Sequence, residues 1–216
     1  MLRSLVLSAL ALSLTISLNA DETKPPKPAK PKPAATKLLI PAKEGRDLLA
    51  KGVLFLDVRS KSVYLKGHIP GAQHVDVAQW TRQLKNETTR TDAKLWAKQI
   101  GQLGISKDTW VVVYGTDSAI NPARAWWSLK YLGLEKVSIL HEGWGMWAAW
   151  GGKIATTTRK LKTTQFVPKF QKERLALTQD VKAYHRDKKF QVLDSRSLGE
   201  YEGGRIPNSN RFEWKG

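Results

Sequence analysis

The chain has 216 residues and no cysteine, carries 36 Lys+Arg against 19 Asp+Glu, and is 41% hydrophobic. That hydrophobic fraction excludes wholesale disorder, and the lack of cysteine excludes disulfides, thiolate-ligated zinc, iron–sulfur clusters and every thiolate nucleophile. The formal charge of +17 points either to an anionic partner or to a basic solvated surface with a lysine-rich tail, and the second is the simpler account.

Residues 1–20 read as a signal peptide: Arg3, an apolar segment Leu5–Leu18, then Asn19-Ala20 ahead of the acidic pair Asp21-Glu22. Such a segment is too short to span a bilayer, and no later stretch is long and apolar enough, so we expect an exported chain, periplasmic or secreted, with no transmembrane segment. Residues 21–37 follow as a tether. Prolines at 25, 26, 28, 31 and 33 forbid a helix there and favour an extended spacer.

Strands and helices then alternate. Val53–Val58 is an apolar run ending in charge, as for a buried strand. Thr91–Gly101 predicts a helix, Thr109–Tyr114 a second buried strand, and Pro122–Leu132 a helix that opens on proline and stops at Gly133. Val137–Leu140 predicts a third strand, followed by a tryptophan-rich helix to Trp150. This alternation implies an α/β domain over residues 38–152 with a mainly parallel sheet. Residues 153–174 hold seven Lys or Arg against Glu173 and no periodicity, and read as a basic connector between domains.

Residues 175–216 open a second copy of the same unit. Leu56–Pro70 (LDVRSKSVYLKGHIP) and Leu193–Pro207 (LDSRSLGEYEGGRIP) share eight of 15 residues without a gap, at an offset of 194 − 57 = 137. A period of that length suits a whole domain and not a solenoid unit. The second copy stops at Gly216, which corresponds to Gln79 of the first, and so is incomplete. Ile69-Pro70-Gly71 and Ile206-Pro207-Asn208 predict the same type II turn, because Gly and Asn both accept the positive φ of its third position. Asp57 and Arg59, with their counterparts Asp194 and Arg196, fall at strand ends, where α/β sheets place their sites. Local pairing or capping is the plainer role for them.

The run Tyr64-Leu-Lys-Gly-His-Ile-Pro-Gly-Ala-Gln-His-Val75, with Asp57-x-Arg59 before it, resembles the signature of the rhodanese sulfurtransferases. Val111–Tyr114, Ala123–Trp127, Leu132-Gly133 and Val137–Trp147 continue the resemblance. It implies a three-layer α/β/α domain. The repeat is similar to the tandem thiosulfate and 3-mercaptopyruvate sulfurtransferases. In that family a cysteine follows the Val-Val-Val-Tyr-like strand and carries sulfur as a persulfide, since a soft, low-pKa thiolate is what takes sulfur from thiosulfate. Here Gly115 follows Tyr114. The corresponding loop of the second copy would begin near position 252 (115 + 137), beyond Gly216. The resemblance therefore implies an inactive first domain beside the start of a second one, with no catalytic residue and no cofactor in this chain.

Gly115, Thr116, Asp117 and Ser118, with Arg124 on the following helix, form the candidate anion-binding loop for a small thiosulfate-like oxyanion. Asp57, Arg59, His68, Pro70, Gly71, Asp194, Arg196 and Pro207 are candidate structural residues. His68 and His74 lack a third ligand at suitable spacing and predict no metal. Trp144, Trp147 and Trp150 predict packing in the core or against a second domain. Two other classes stay open: a non-enzymatic exported module binding an anion or a protein, and a binder of lipid or polymer through the lysine-rich tether. No base-reading motif supports nucleic acid.

Overall fold

Five parallel strands form the sheet: β1 (Leu39–Ile40), β2 (Leu54–Asp57), β3 (Gln73–His74), β4 (Val111–Tyr114) and β5 (Val137–Leu140), in the spatial order β1-β5-β4-β2-β3. They belong to a computed structural model that describes residues 36–116 and 118–212. The signal peptide, all of the tether but Thr36-Lys37, and Asp117 lie outside the described residues.

β4 and β5 are buried at every position because both faces are covered, which is why β4 reads as an unbroken apolar run and β5 as one interrupted only by Ser138. Alternate residues feed opposite cores. Phe55, Val112 and Tyr114 pack with Ile40, Leu48, Leu140 and Trp147, whereas Leu56, Val111 and Val113 pack with Trp80, Trp96, Ile100 and Leu129. The crossovers are α1 (Ala42–Ala50), α2 (Lys61–Lys66), α3 (Val77–Lys85), α4 (Glu87–Arg90), α5 (Ala93–Gln102) and α6 (Ile120–Tyr131), and α7 (Gly143–Ala149) follows β5. α1 and α7 supply Leu48 and Trp147 to the first core; α3, α5 and α6 supply Trp80, Trp96 and Leu129 to the second. The sheet is thus covered on both sides, the α/β architecture expected from the alternation.

Local chemistry sets the ends. The Asp92 carboxylate accepts from Leu95 N at 3.0 Å, so α5 begins two residues after Thr91. α6 begins at Ile120, two residues before the proline expected to open it. Pro122 still falls in the first turn, where no N–H has an intrahelical acceptor to lose. At its other end Gly133 takes φ +90°, and Gly133 N and Leu134 N donate back to Lys130 O and Leu129 O.

Residues 153–174 are more than the basic connector expected. They run back along the first unit as a strap. His68 and Ala155 exchange backbone hydrogen bonds of 2.9 and 2.8 Å, Thr164 N donates to Gly101 O, and Lys169 N and Gln171 N donate to Leu132 O and Tyr131 O. Phe166 is buried in the core that holds Trp96 and Ile100. Phe170 packs against the same core and tilts against Tyr131, and the irregular spacing of these apolar residues gives no period to announce them.

Beyond the strap come α8 (Thr178–Tyr184), β6 (Leu193–Asp194), α9 (Leu198–Glu202) and β7 (Asn210–Arg211). β2 pairs with β3 through Leu56↔Gln73 and Asp57↔His74, and β6 pairs with β7 through Leu193↔Asn210 and Asp194↔Arg211. Every one of these positions is displaced by the same 137 residues.

Candidate functional site

Asp57 ends β2 with its carboxylate facing Arg59. Arg59 Nε donates to both carboxylate oxygens at 3.0 and 3.1 Å, and Nη2 donates to Oδ2 and to Gly67 O, both at 2.6 Å. The two side chains are 0% and 2% exposed. A charge so buried needs this complete pairing. Trp144 lies over the guanidinium at 4.0 Å, and Tyr114 stands 5.5 Å away. The clamp ties the end of β2 to the turn after α2 and spends the arginine's charge inside the protein.

The neighbours are equally committed. Tyr114 OH accepts from Ile69 N at 3.1 Å, and burial together with the Asp57 carboxylate pushes its phenol well above the usual tyrosine value, so it stays a neutral hydroxyl. Tyr64 OH donates to Ala72 O at 2.9 Å. His68 Nδ1 donates to Tyr64 O while its ring stacks on Tyr64 at 4.1 Å, and His74 Nε2 donates to Arg59 O. His74 is therefore taken up by the turn, whereas His68 is held through Nδ1 alone, its Nε2 buried without a hydrogen-bond partner. Among the described residues no group of three metal-type ligands comes together. Pro70 and Gly71 form the turn itself, with Gly71 at φ +78° and Ala72 N bonded to Ile69 O.

A cavity of about 190 Å³ opens at the C-terminal ends of β2 and β4, beside the start of α6, lined by Arg59, Ser60, Gly115, Thr116, Ser118 and Asn121. The candidate loop residues Gly115, Thr116 and Ser118 do meet there; Asp117 is outside the described residues. Arg124 does not line the cavity. It is exposed, and its Nη1 donates to Asn121 Oδ1 at 3.3 Å. Ser118 Oγ accepts from Ile120 N, which makes it a turn residue at the helix start. The Gly115 carbonyl accepts from Trp144 N at 2.8 Å, so the loop is held onto α7.

Gly115 has a packing reason to be glycine. A Cβ there would lie 2.9 Å from Pro122 Cγ and 3.1 Å from its Cδ. α6 folds its proline into the space that a side chain at 115 would occupy.

In the second copy Arg196 repeats the clamp, with Nε to Asp194 at 2.9 and 3.2 Å, and Nη2 to Asp194 Oδ2 at 2.6 Å and to Gly204 O at 2.7 Å. Pro207 precedes Asn208 at φ +63°, and Ser209 N bonds to Ile206 O. Here the arginine side chain is 44% exposed. Sequence reasoning missed Trp144 as the cover over Arg59 and Pro122 as the plug beside Gly115. A proline seven residues after the glycine was visible, but only the path of the loop sets its ring against position 115.

A family model for the rhodanese-like domain matches residues 41–149. Thiosulfate sulfurtransferase of Gallus gallus is 29% identical over 151 residues, covering 67% of this chain and 51% of that one. The 3-mercaptopyruvate sulfurtransferase of Escherichia coli (strain K12) is 27% identical over 165 residues, covering 70% and 58%. The crystal structure of a 3-mercaptopyruvate sulfotransferase from Escherichia coli, described as a rhodanese fold, matches with a TM-score of 0.72 at 24% identity, over 83% of this chain and 76% of that one. The chain spans about half the length of the curated relatives it matches.

Proposed function

This chain belongs to the rhodanese-like family, and from that premise we propose that it supplies the non-catalytic share of an exported sulfurtransferase. The reaction is transfer of sulfur from thiosulfate or 3-mercaptopyruvate through a cysteine persulfide. Residues 38–152 act as a structural and substrate-access partner for a second domain that begins near Leu175. The thiol lies outside these 216 residues, since none of them is cysteine. A serine does not substitute. Sulfane sulfur is soft and needs a polarisable thiolate, whereas Ser118 offers a hard oxygen already engaged by Ile120 N.

The observation that carries this reading is Pro122 filling the side-chain space at position 115. The test is thiocyanate formation from thiosulfate and cyanide by the purified chain. None is expected. Gly115→Cys should not restore it, and crowding against Pro122 should cost about 1–3 kcal/mol in stability. Turnover by the unsubstituted chain would overturn the reading.

The 190 Å³ cavity favours a second reading, a non-enzymatic module that holds a small sulfur oxyanion or a protein. Under it, thiosulfate should raise the melting temperature of the chain without any product forming. Export is tested by sequencing the mature N-terminus, expected at Asp21.

A further inference from the structure

Three strands of the first unit each have a lysine just ahead of them. Lys51 precedes β2, Lys107 precedes β4 and Lys136 precedes β5. The three strands pair in parallel, so they start at the same end of the sheet and these lysines gather on one face. The hydrogen bond from Lys107 to Asp108, 2.7 Å long, together with the nearby charge of Lys136, holds the Asp108 carboxyl below its ordinary value of 3.8.

The strap crosses the same end and adds to it. Leu161 packs on Gly104, where a Cβ would lie 2.9 Å from Leu161 Cδ1, and the exposed Lys162 follows. Lys169 N donates to Leu132 O at 2.9 Å, and the Lys169 Cβ lies against Gly133 in the turn before β5. Lys130 Nζ reaches the Glu135 carbonyl at 2.7 Å. The acids on this face are Asp47, Asp108 and Glu135, so cations prevail. At the opposite end of the sheet the signs are nearly balanced: Lys43, Lys61, Lys66 and Arg124 are met by Glu44, Asp76 and Glu142. Two aliphatic side chains stand in solvent among the lysines, Val167 at 72% exposure and Leu38 at 49%.

We propose that this strand-start face docks on a lipid bilayer that carries anionic headgroups. Its cations are lysines, hydrated point charges on flexible stems that suit a diffuse negative plane, whereas bidentate capture of one anion calls for arginine. Val167 and Leu38 enter the headgroup layer, a gain that a soluble polyanion does not offer. So docked, the face with the Asp57–Arg59 clamp and the 190 Å³ cavity turns away from the bilayer, since both lie at the other end of the strands. The inference rests on this geometry and not on sulfur transfer, so thiocyanate formation and vesicle binding are read separately.

The probe is vesicles of phosphatidylcholine and phosphatidylglycerol in equal parts, sedimented with the full chain, beside vesicles of phosphatidylcholine alone. Binding to the first and not the second is expected, lost as salt rises to on the order of 0.5 M. Lys107→Ser, Lys136→Ser and Lys169→Ser together should weaken it at least about tenfold at an unchanged melting temperature. Lys51→Ser with Lys162→Ser, both at exposed positions, should weaken it at least about fivefold. Lys43→Ser, Lys61→Ser and Lys66→Ser remove the same charge from the opposite end and should weaken it no more than about twofold. Val167→Ser should weaken vesicle binding several-fold and leave retention on heparin unchanged. Absence of binding at low salt overturns the proposal, as do equal losses from the two triple variants. Binding that survives the first triple variant but vanishes with Lys24→Ser, Lys27→Ser, Lys30→Ser and Lys32→Ser overturns it too, because the tether is then the binder. So does vesicle binding indifferent to Val167→Ser, because any polyanion then serves as the partner.

Discussion

Arg59 and Arg196 hold their aspartates through the same atoms, and each reaches a glycine carbonyl eight residues on, at 2.6 and 2.7 Å. The bonds agree to within about 0.1 Å, yet one arginine side chain is 2% exposed and the other 44%. The difference lies wholly in what arrives from elsewhere. β4 and α7 bring Tyr114 and Trp144 over the first clamp, and nothing among the described residues does so for the second. A short stretch of chain therefore specifies the motif, while distant segments specify whether its charges are dry. The same hydrogen bonds differ in consequence because an unpaired charge is costly only where water cannot reach it.

The largest expected contrast is between the two aspartates. Asp57→Ala strands a buried guanidinium and should cost about 3–5 kcal/mol, read as a fall in the main thermal transition. Asp194→Ala removes the identical bonds in solvent and should leave that transition in place, altering only amide exchange in residues 193–212. Equal effects would break the comparison.

A smaller contrast concerns the turn. Gly71 and Asn208 sit at φ +78° and +63°, with no atom near enough to Gly71 to obstruct a side chain. Gly71→Asn should be tolerated, whereas Gly71→Val should cost about 1–2 kcal/mol from backbone strain alone. Thermal unfolding of the pair decides whether the two turns are interchangeable.

The smallest effect is confined to acid. Arg196 donates to Asp194 and Ser197 Oγ to Glu200, and these bonds hold both carboxyls below their ordinary values of 3.8 and 4.5. A carboxyl lowered in the folded state stabilises that state above its ordinary value and loses the contribution as pH falls through the lowered one. Protection against exchange in residues 193–212, taken relative to the intrinsic rate at each pH, should thus be flat from neutrality to about pH 5 and fall below about pH 4. The ordinary values of the first copy's flanking tyrosines are shifted upward by burial and play no part in that window.

Much of the fold was legible. Apolar runs such as Val137–Leu140 announced the buried strands, and Gly133 announced the end of α6. The strap was not legible, because its apolar anchors Leu161, Phe166 and Phe170 follow no regular period and its backbone bonds carry no sequence signal. The candidate site was legible in part. Gly115, Thr116 and Ser118 converge on one cavity, but Arg124 turns away to Asn121.

Sequence by itself determined the repeat, its 137-residue offset, the two turns and the absence of any thiol, because each depends on residue identity or on backbone preferences within a few positions. Tertiary structure alone decided that Pro122 plugs position 115, that Trp144 shields Arg59, and that Leu56 is buried while Leu193 is exposed. Those facts depend on which distant segments meet, and burial is a property of the assembled sheet and not of any stretch within it.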